Sequence, residues 1–431
     1  MEFQLDNFGK VATAKVRLDG ITVIAGSNGS GKSTISRALM TWCSVIRRME
    51  ALTLDERLKS LRDAVNGVLR AHDVPIIRFR FPFSPDFTVK FLVPEVWRNP
   101  EMVSKLVRRS MDPYRRRYDL DSESSVEQIV NLYDEIAPVV EQVARTKDQD
   151  YVAGILVDSF SQAFDGDLES MTGHKEHGVI RSVSGSGKFR MCEFVAGKLE
   201  RSEGVIGNHA PLSFYLEPLH LFDLCQGGFV SSRMGLFVED RYQAGEKDWR
   251  QLLYRDADMS DWSQERKRKH EELVRELDGL MELIRGQMVN VDQAIRFYDM
   301  DVGRDISIRN VASGAKSMAL LARGIKSGIV APDSLLIIDE PESNLHPEWQ
   351  ISFAKFLALL HSRFGFKFVI NTHSPYFMRA IDVFSRDLGC SREEKAFYRM
   401  VPDGKNYKTE DVTDRINEVF KDMYLPLERL M

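Results

Sequence analysis

The sequence has few cysteines, no long apolar run and no large excess of one charge. Its four cysteines lie far apart without a C-x-x-C pair, which argues against a zinc site and a disulfide framework: Cys43, Cys192, Cys225 and Cys390. No window reaches about 18 consecutive apolar residues, and the first residues lack the charged and apolar regions of a signal peptide. We therefore expect a cytoplasmic protein with reduced, mostly buried cysteines and no membrane span.

The formal net charge of −5 over 431 residues excludes a chain that is basic throughout. Any nucleic-acid contact must therefore come from a local patch. Two candidate patches are present: one contains Arg108, Arg109, Arg115, Arg116 and Arg117 with Tyr114 and Tyr118 between them, and the other is Arg266 to Lys269. Each could bind a phosphate backbone or form a solvated helix face, and the solvated face is the favoured interpretation.

The most specific pattern is a glycine-rich loop between an apolar strand, Ile21 to Ala25, and a helical stretch, Thr34 to Trp42. The loop has the form G-x-x-x-x-G-K-S, which in this context predicts a phosphate-binding loop. Tight turns at its glycines direct backbone N–H groups toward an anion. We expect Lys32 on the β- and γ-phosphates and the Ser33 hydroxyl on Mg²⁺. The nucleotide-binding residues predicted here are Gly26, Asn28, Gly29, Gly31, Lys32, Ser33 and Thr34.

A second pattern is the aliphatic run Leu335 to Ile338 followed by Asp339 and Glu340. Four aliphatic residues ending in acids are typical of a buried parallel strand that presents carboxylates at its C-terminal end, where such sheets bind ligands. Asp339 is predicted to hold Mg²⁺, and Glu340 to polarise the attacking water.

Two weaker patterns flank the acids. Ser313-Gly314 opens a helix upstream, where it could bind an anion or simply cap the helix. His373 ends another apolar strand downstream, Phe368 to Asn371, and could reach a γ-phosphate or play a purely structural part. Each pattern is weak by itself. Their positions, one helix before and one helix after the strand that carries Asp339 and Glu340, favour a part in the same site.

Together these motifs resemble the ATP-binding-cassette ATPases of the SMC, RecF and overcoming-lysogenization-defect group. The residues that carry the resemblance are the phosphate loop, Ser313-Gly314, the stretch Asp339 to Pro347 and the stretch Asn371 to Pro375. Within that group the motif sequences are most similar to those of AAA-family ATPases of bacterial antiphage defence, of the PtuA or AriA kind. The resemblance covers about residues 1–45 and 290–380.

The resemblance implies ATP and Mg²⁺ as cofactors and assigns roles to matching residues. Glu340 corresponds to the catalytic base and His373 to the γ-phosphate switch. Ser313 and Gly314 correspond to the signature that contacts nucleotide on a second subunit, and Ser343 to His346 to a loop at that interface. It gives no role to Glu342 or His346, and Gln226 is a candidate for the glutamine loop.

The expected fold is α/β: an ABC-type P-loop ATPase head with a mixed sheet and a large inserted helical and β region. We predict an N-terminal half in 1–93, an insertion in 94–210, and a C-terminal half in 211–431 with an amphipathic helix at 261–285. The turn Ser184 to Gly187 partly repeats the phosphate loop, but its alternating flanks predict a β-hairpin.

Two functions remain open at this stage. In the first, the protein is an ATPase sensor of antiphage defence that forms a homodimer or higher homo-oligomer through ATP and controls an effector such as a nuclease from a neighbouring gene. In the second, it is a RecF-like clamp on duplex DNA. The chain after His373 is too short for a Toprim nuclease domain, so we expect any nuclease chemistry to belong to a partner.

Overall fold

The structure is a computed structural model that describes residues 1–71, 99, 101–103, 105–107, 109, 123–168, 171, 177–206, 210–216, 256–257, 259–291, 294–332 and 334–421. Its helices are α1 Lys32–Ala71, α2 Glu123–Arg145, α3 Asp148–Ala163, α4 Gln264–Leu283, α5 Ser313–Lys326, α6 Pro347–Phe364 and α7 Pro375–Asp387. The predictions for Arg108, Tyr114 to Tyr118, Cys225 and Gln226 lie outside the described residues.

The strands lie in a large mixed sheet and a small antiparallel one. The first three are β1 Glu2–Phe8, β2 Val11–Arg17 and β3 Ile21–Ala25, followed by β4 Gly178–Val183, β5 Phe189–Val195, β6 Lys198–Glu203 and β7 Ser213–Leu216. The small sheet contains β8 Gly286–Val291, β9 Ala294–Asp299 and β10 Arg304–Ser307. The last four are β11 Leu335–Asp339, β12 Lys367–Thr372, β13 Lys395–Asp403 and β14 Asn406–Asp411.

The large sheet has the order β6-β5-β4-β1-β2-β14-β13-β3-β12-β11-β7. Strands β13, β3, β12, β11 and β7 are parallel to their neighbours in this part of the sheet. Asn371 of β12 lies between Ile24 of β3 and Asp339 of β11. The carboxyl ends of these three strands therefore meet at one edge of the sheet, which is where ligands of parallel sheets bind. This agrees with the α/β fold and mixed sheet expected from the sequence.

The core of this region lies where α4, α5, α6 and α7 pack with the parallel strands. The amphipathic pattern predicted for 261–285 is confirmed, because Leu273, Leu277, Leu280 and Met281 of α4 are buried. Each fully buried leucine of this kind contributes about 1.5–3 kcal/mol. On the other side of the helix, Lys269 pairs with Glu265 at 3.0 Å and Arg268 lies 3.8 Å from Glu272. The basic run Arg266 to Lys269 thus lies on a largely solvated face with pairs one helical turn apart.

The described cysteines agree with the prediction. Cys43 and Cys192 are buried, Cys390 is partly exposed, and none of the three takes part in a disulfide. Burial raises the pKa of the Cys192 thiol well above its ordinary value. No helix in the described part of the chain is long and apolar enough to span a bilayer.

The chain divides into two compact units at positions that differ from the predicted boundaries. The first unit contains Met1–Arg47, Ser159–Val205 and His209–Met431, and the second contains Arg48–Asp158 and Ile206–Asn208. The hairpin that we assigned to the insertion belongs to the first unit, because β4 pairs antiparallel with β1 of the main sheet. The second unit has its own apolar cluster, which includes Leu61, Val103 and Val140.

Local predictions succeeded for the hairpins and partly failed for the first helix. The turn Ser184 to Gly187 joins β4 and β5 as predicted. The stretch Ile295 to Ile308 also has the sequence pattern of a hairpin, which β9 and β10 form. The apolar residues from Leu54 to Val68 recur at helical spacing and predict a helix separate from Thr34 to Trp42, but the two stretches are one continuous helix, α1. No glycine or proline interrupts residues 32–66, so the chain continues the helix through them. Near the C-terminal end, β13 and β14 complete the sheet beside β3 and β2.

Candidate functional site

The phosphate loop connects β3 to α1, and two of its backbone carbonyls accept hydrogen bonds from its own lysine, Lys32. Gly29 and Gly31 have positive φ angles of 73° and 93°, a backbone conformation that glycine adopts without steric cost. The Ser30 hydroxyl donates to the Ser27 carbonyl at 2.8 Å. Lys32 Nζ donates to the carbonyls of Gly26 at 2.8 Å and Ser27 at 3.0 Å. Its ammonium group is therefore bound to carbonyl oxygens of the loop, and a bound phosphate could compete with these oxygens for it.

The remaining predicted residues of the loop lie where the motif requires them. Asn28 is exposed at its tip, and Ser33 and Thr34 are partly buried in the first turn of α1. The N-terminal end of this helix presents unpaired N–H groups and positive partial charge, which favours an anion.

The turn between β1 and β2 covers one side of the phosphate loop, a contact that no sequence pattern predicts. A Cβ atom added to Gly31 would lie 2.7 Å from Val11 Cγ2, and one added to Gly29 would lie 3.4 Å from Lys10 Nζ. The carbonyl of Lys10 accepts a hydrogen bond from the Tyr407 N–H at 2.8 Å. The backbone of this turn is thus anchored to β14, and the exposed side chain of Lys10 places a second cation beside the loop. A lone lysine in a tight turn is not a sequence pattern that predicts this position.

Asp339 ends β11 and is almost fully buried. Its Oδ1 accepts from Asn371 Nδ2 at 2.9 Å, and its Oδ2 accepts from the Tyr215 hydroxyl at 3.1 Å. Asn371 Nδ2 also donates to Ser36 Oγ at 2.8 Å, so β11, β12 and α1 are joined through one amide. Ser36 and Tyr215 were not singled out in the sequence, because no local pattern indicates these contacts.

Glu340 follows in a strained backbone conformation. Its φ angle is 48°, and its N–H donates to the Asn371 carbonyl at 2.9 Å. A non-glycine residue with positive φ is uncommon, and such residues cluster at functional sites. The carboxylate accepts from Ser343 Oγ at 3.2 Å and lies 3.5 Å from His373 Nδ1. The predicted base and the predicted histidine are therefore adjacent.

Glu342 is the most deeply buried acid beside His373. Its side chain is 3% exposed, against 34% for Glu340. Burial raises the pKa of Glu342, while hydrogen bonds from Thr372 and His373 act in the opposite direction. Glu342 Oε1 lies 3.3 Å from His373 Nδ1, so the imidazole lies between two carboxylates. No role for Glu342 was predicted from the sequence.

Lys32 connects the two halves of the site electrostatically. Burial lowers the pKa of Lys32, and attraction to Glu340, Asp339 and Glu342 partly offsets this effect. The phosphate-loop lysine and the three acids therefore act on one another across the edge formed by β3, β12 and β11. The patterns from the two ends of the chain form one site.

Gly314, the second of the two predicted signature residues, packs against the loop that follows the acids. Ser313 is the first residue of α5, and its side chain lies outside what the structure describes. A Cβ on Gly314 would lie 2.2 Å from Leu345 Cδ2 and 3.2 Å from the Asn344 carbonyl oxygen. Glycine is therefore required here for close packing within the chain. His346, whose role was open, caps α6 by accepting from the Glu348 N–H at 3.4 Å.

An open groove of about 490 Å³ runs along these loops. Its lining combines the acids with residues from the loops after β11 and β12: Glu340, Glu342, Ser343, Asn344, Leu345, Gln350, His373, Ser374, Pro375 and Tyr376. The groove therefore opens onto the predicted base, the histidine and the predicted interface loop at once.

The donor set suits ATP and Mg²⁺. Asn371 Oδ1 is buried without a hydrogen-bond partner in the described structure, beside the Asp339 carboxylate. Mg²⁺ is commonly held by one or two carboxylates together with substrate phosphates and water, so a larger protein cage is unnecessary. No group of three or more acid, histidine or cysteine ligands occurs among the described residues. Asp339 and Ser33 are the residues that would hold the ion.

Comparison with known proteins gives a partial family match and general structural likenesses. Residues 203–379 match the family model described as "AAA domain, putative AbiEii toxin, Type IV TA system". The SMC head domain from Thermotoga maritima is 12% identical with a TM-score of 0.35, over 95% of this chain and 98% of that chain. An SMC head bound to the C-winged-helix domain of ScpA is 10% identical with a TM-score of 0.41, over 97% of this chain and 98% of that chain.

A third structure, an SMC head with an extended coiled coil bound to the C-terminal domain of ScpA, derived from Pyrococcus furiosus, is 9% identical with a TM-score of 0.29. It aligns over 98% of both chains. The comparison with curated proteins gave no match. We therefore base the proposed function on the geometry of the site.

Proposed function

We propose that the protein is an ATPase that pairs its heads through bound ATP and controls a partner effector in bacterial antiphage defence. The observation that carries the ATPase assignment is the convergence of Lys32, Asp339, Glu340 and His373 at one edge of the parallel strands. The phosphate loop and acids match the parts needed for phosphoryl transfer to water.

Each residue has a defined part in this reaction. Lys32 would exchange the carbonyls of Gly26 and Ser27 for the β- and γ-phosphates of bound ATP. Asp339 and Ser33 would hold Mg²⁺, which would supply charge compensation to the phosphates. Glu340 orients the attacking water and accepts its proton, and His373 contacts the γ-phosphate from the next strand.

Pairing of heads is supported by the position of the groove. Glu340, His373 and the Ser343 to His346 loop share one open surface, and Gly314 packs against that loop. A second copy that covered this groove would enclose the base and the histidine. The effector role is supported by the description of the family model that matches residues 203–379, which names a putative AbiEii toxin and a Type IV TA system. We propose a cytoplasmic location for the assembly.

The decisive experiment is the solution mass of Glu340→Gln with ATP and Mg²⁺. This variant removes the base but keeps the metal site, so it should bind ATP and accumulate as a dimer or larger assembly. The control Lys32→Ala/Glu340→Gln should remain unassembled, because it cannot bind the phosphates. Brisk ATP hydrolysis by Glu340→Gln would instead assign the base to another residue.

Two additions to the same sample test the biological role. Recruitment of the co-expressed product of the neighbouring gene, without any need for DNA, supports the defence assignment. Assembly that requires or retains short duplex DNA, and recruits no protein, supports the RecF-like clamp instead.

A further inference from the structure

The strongest observation left unused by the ATPase assignment is the set of hydrogen bonds around Glu342. One oxygen, Oε1, accepts from Thr372 Oγ1 at 2.7 Å, the His373 N–H at 2.7 Å and the Ser374 N–H at 3.1 Å. These are three consecutive residues at the end of β12. A single buried carboxylate oxygen therefore fixes the whole backbone turn that presents the histidine.

The same oxygen also fixes the imidazole. His373 Nδ1 lies 3.3 Å from Glu342 Oε1 and 3.5 Å from Glu340 Oε1. Because the backbone N–H and the ring of His373 both face Glu342, this acid fixes the backbone position of His373 and the orientation of its ring.

A second polar side chain joins this turn to the predicted interface loop. Gln350 Nε2 donates to the Leu345 carbonyl at 3.0 Å, and Gln350 Oε1 accepts from Ser374 Oγ at 2.6 Å. Ser374 Oγ in turn accepts from the Phe377 N–H at 3.2 Å and caps α7. Gln350 thus connects the loop after β11 with the loop after β12.

We propose that Glu342 is the positioning residue for His373, and that Gln350 ties this arrangement to the Ser343 to His346 loop. The inference rests on the proposed ATPase function, within which His373 acts on the γ-phosphate. Glu342 acts through the histidine and need not touch ATP. Its removal should therefore slow the chemical step more than it weakens substrate binding.

The first test compares Glu342→Ala with Glu342→Gln in steady-state ATP hydrolysis by the full chain. Loss of a residue that orients an active-site group typically costs about 10- to 100-fold in activity, so kcat of Glu342→Ala should fall by that factor. Its KM should change by less than about threefold, because the phosphate loop is intact. Glu342→Gln should retain most of kcat, since its amide oxygen can still accept the three hydrogen bonds.

Glu348 provides the matched control. It is an exposed glutamate in the first turn of α6, and its side chain takes no part in the network. Glu348→Ala and Glu348→Gln should keep the kcat of the unaltered protein. A fall in kcat common to Glu342→Ala and Glu348→Ala would overturn the inference, as would an unchanged kcat in Glu342→Ala.

A double-mutant cycle separates positioning from a general structural role. If Glu342 acts through His373, Glu342→Ala should lower kcat by less than about twofold in a His373→Ala background, since the residue it positions is already gone. Multiplication of the two separate effects would overturn the inference.

Should Glu342→Ala fail to fold, Gln350→Leu takes its place, with an expected loss of a few-fold in kcat and a similar KM.

An NMR measurement without nucleotide keeps this inference separate from the ATPase assignment. The imidazole resonance of His373, assigned in ¹³C-histidine-labelled protein by its loss in His373→Ala, should shift in Glu342→Ala and stay in place in Glu348→Ala. An unmoved resonance would overturn the positioning role. A shifted resonance in a protein without Lys32-dependent hydrolysis would overturn the proposed function and leave the positioning role standing.

Discussion

The tripeptide Ser-Gly-Lys occurs twice in the main unit, at residues 30–32 and at 186–188, with different outcomes. Both copies form a turn: Ser30 N–H donates to the Ser27 carbonyl, and Gly187 N–H donates to the Ser184 carbonyl. Both central glycines have positive φ, 93° for Gly31 and 76° for Gly187. The local backbone chemistry of the two copies is therefore similar.

Their surroundings differ. Lys32 is 5% exposed and lies among three carboxylates, whereas Lys188 is exposed and its N–H donates to Ser184 Oγ. The first copy follows a buried parallel strand and opens α1, while the second joins two antiparallel strands. The neighbouring strands, helix and carboxylates, rather than the tripeptide itself, determine whether a copy can bind phosphate. The same substitution made in the two copies should therefore have unequal effects on ATP binding and stability.

The largest difference is expected between Lys32→Ala and Lys188→Ala. Removing Lys32 deletes the charge that compensates the phosphates, and charge-assisted hydrogen bonds of about 1.5–3 kcal/mol predict a loss of ATP affinity of about 10- to 150-fold. Titration with a fluorescent ATP analogue measures both variants. Lys188→Ala should bind like the unaltered protein. Equal affinity in the two variants would refute the assignment of residues 26–33 as the phosphate loop.

A smaller difference is expected between Gly31→Ala and Gly187→Ala. A left-handed backbone costs a non-glycine residue about 1–2 kcal/mol, so both variants should lose stability by that amount. At Gly31 the new Cβ would also lie 2.7 Å from Val11 Cγ2, whereas no described atom lies within 4 Å at Gly187. Crowding of this kind costs about 1–3 kcal/mol more.

Urea unfolding and ATP titration of both glycine variants give the comparison. Gly31→Ala should be the less stable variant and the only one of the two with weakened ATP binding. Equal loss of stability would mean that Val11 moves away at no cost and that the β1–β2 turn does not constrain the loop.

The phosphate loop was predictable because its contacts are local. Lys32 bonds to carbonyls five and six residues earlier, and the flanking strand and helix have clear patterns. Asp339 and Glu340 were predictable from the aliphatic run before them. The α/β class followed from the same apolar strands, which must be covered on both faces.

Contacts between distant residues could not be predicted in the same way. Thr372 and Glu342 are 30 positions apart, Tyr215 and Asp339 are 124 apart, and Ser36 and Asn371 are 335 apart. Only strand order brings these pairs together. The domain boundaries failed to match for the same reason, because the pairing of β4 with β1 leaves no trace in the local pattern.

The smallest effect is expected at Lys10, the residue that most clearly distinguishes the covered phosphate loop from the open hairpin turn. Its Nζ lies 3.4 Å from where a Cβ on Gly29 would be. Exposed charge pairs contribute only about 0–1 kcal/mol, so Lys10→Ala should weaken ATP binding by about two- to fivefold at low salt. The effect should shrink as salt screens the charge. Lys15→Ala, which removes an exposed lysine paired with Glu2 on the neighbouring strand, should leave affinity unchanged. If Lys10→Ala matches Lys15→Ala at low salt, the β1–β2 turn shapes the loop through Val11 alone and adds no charge to the phosphate site.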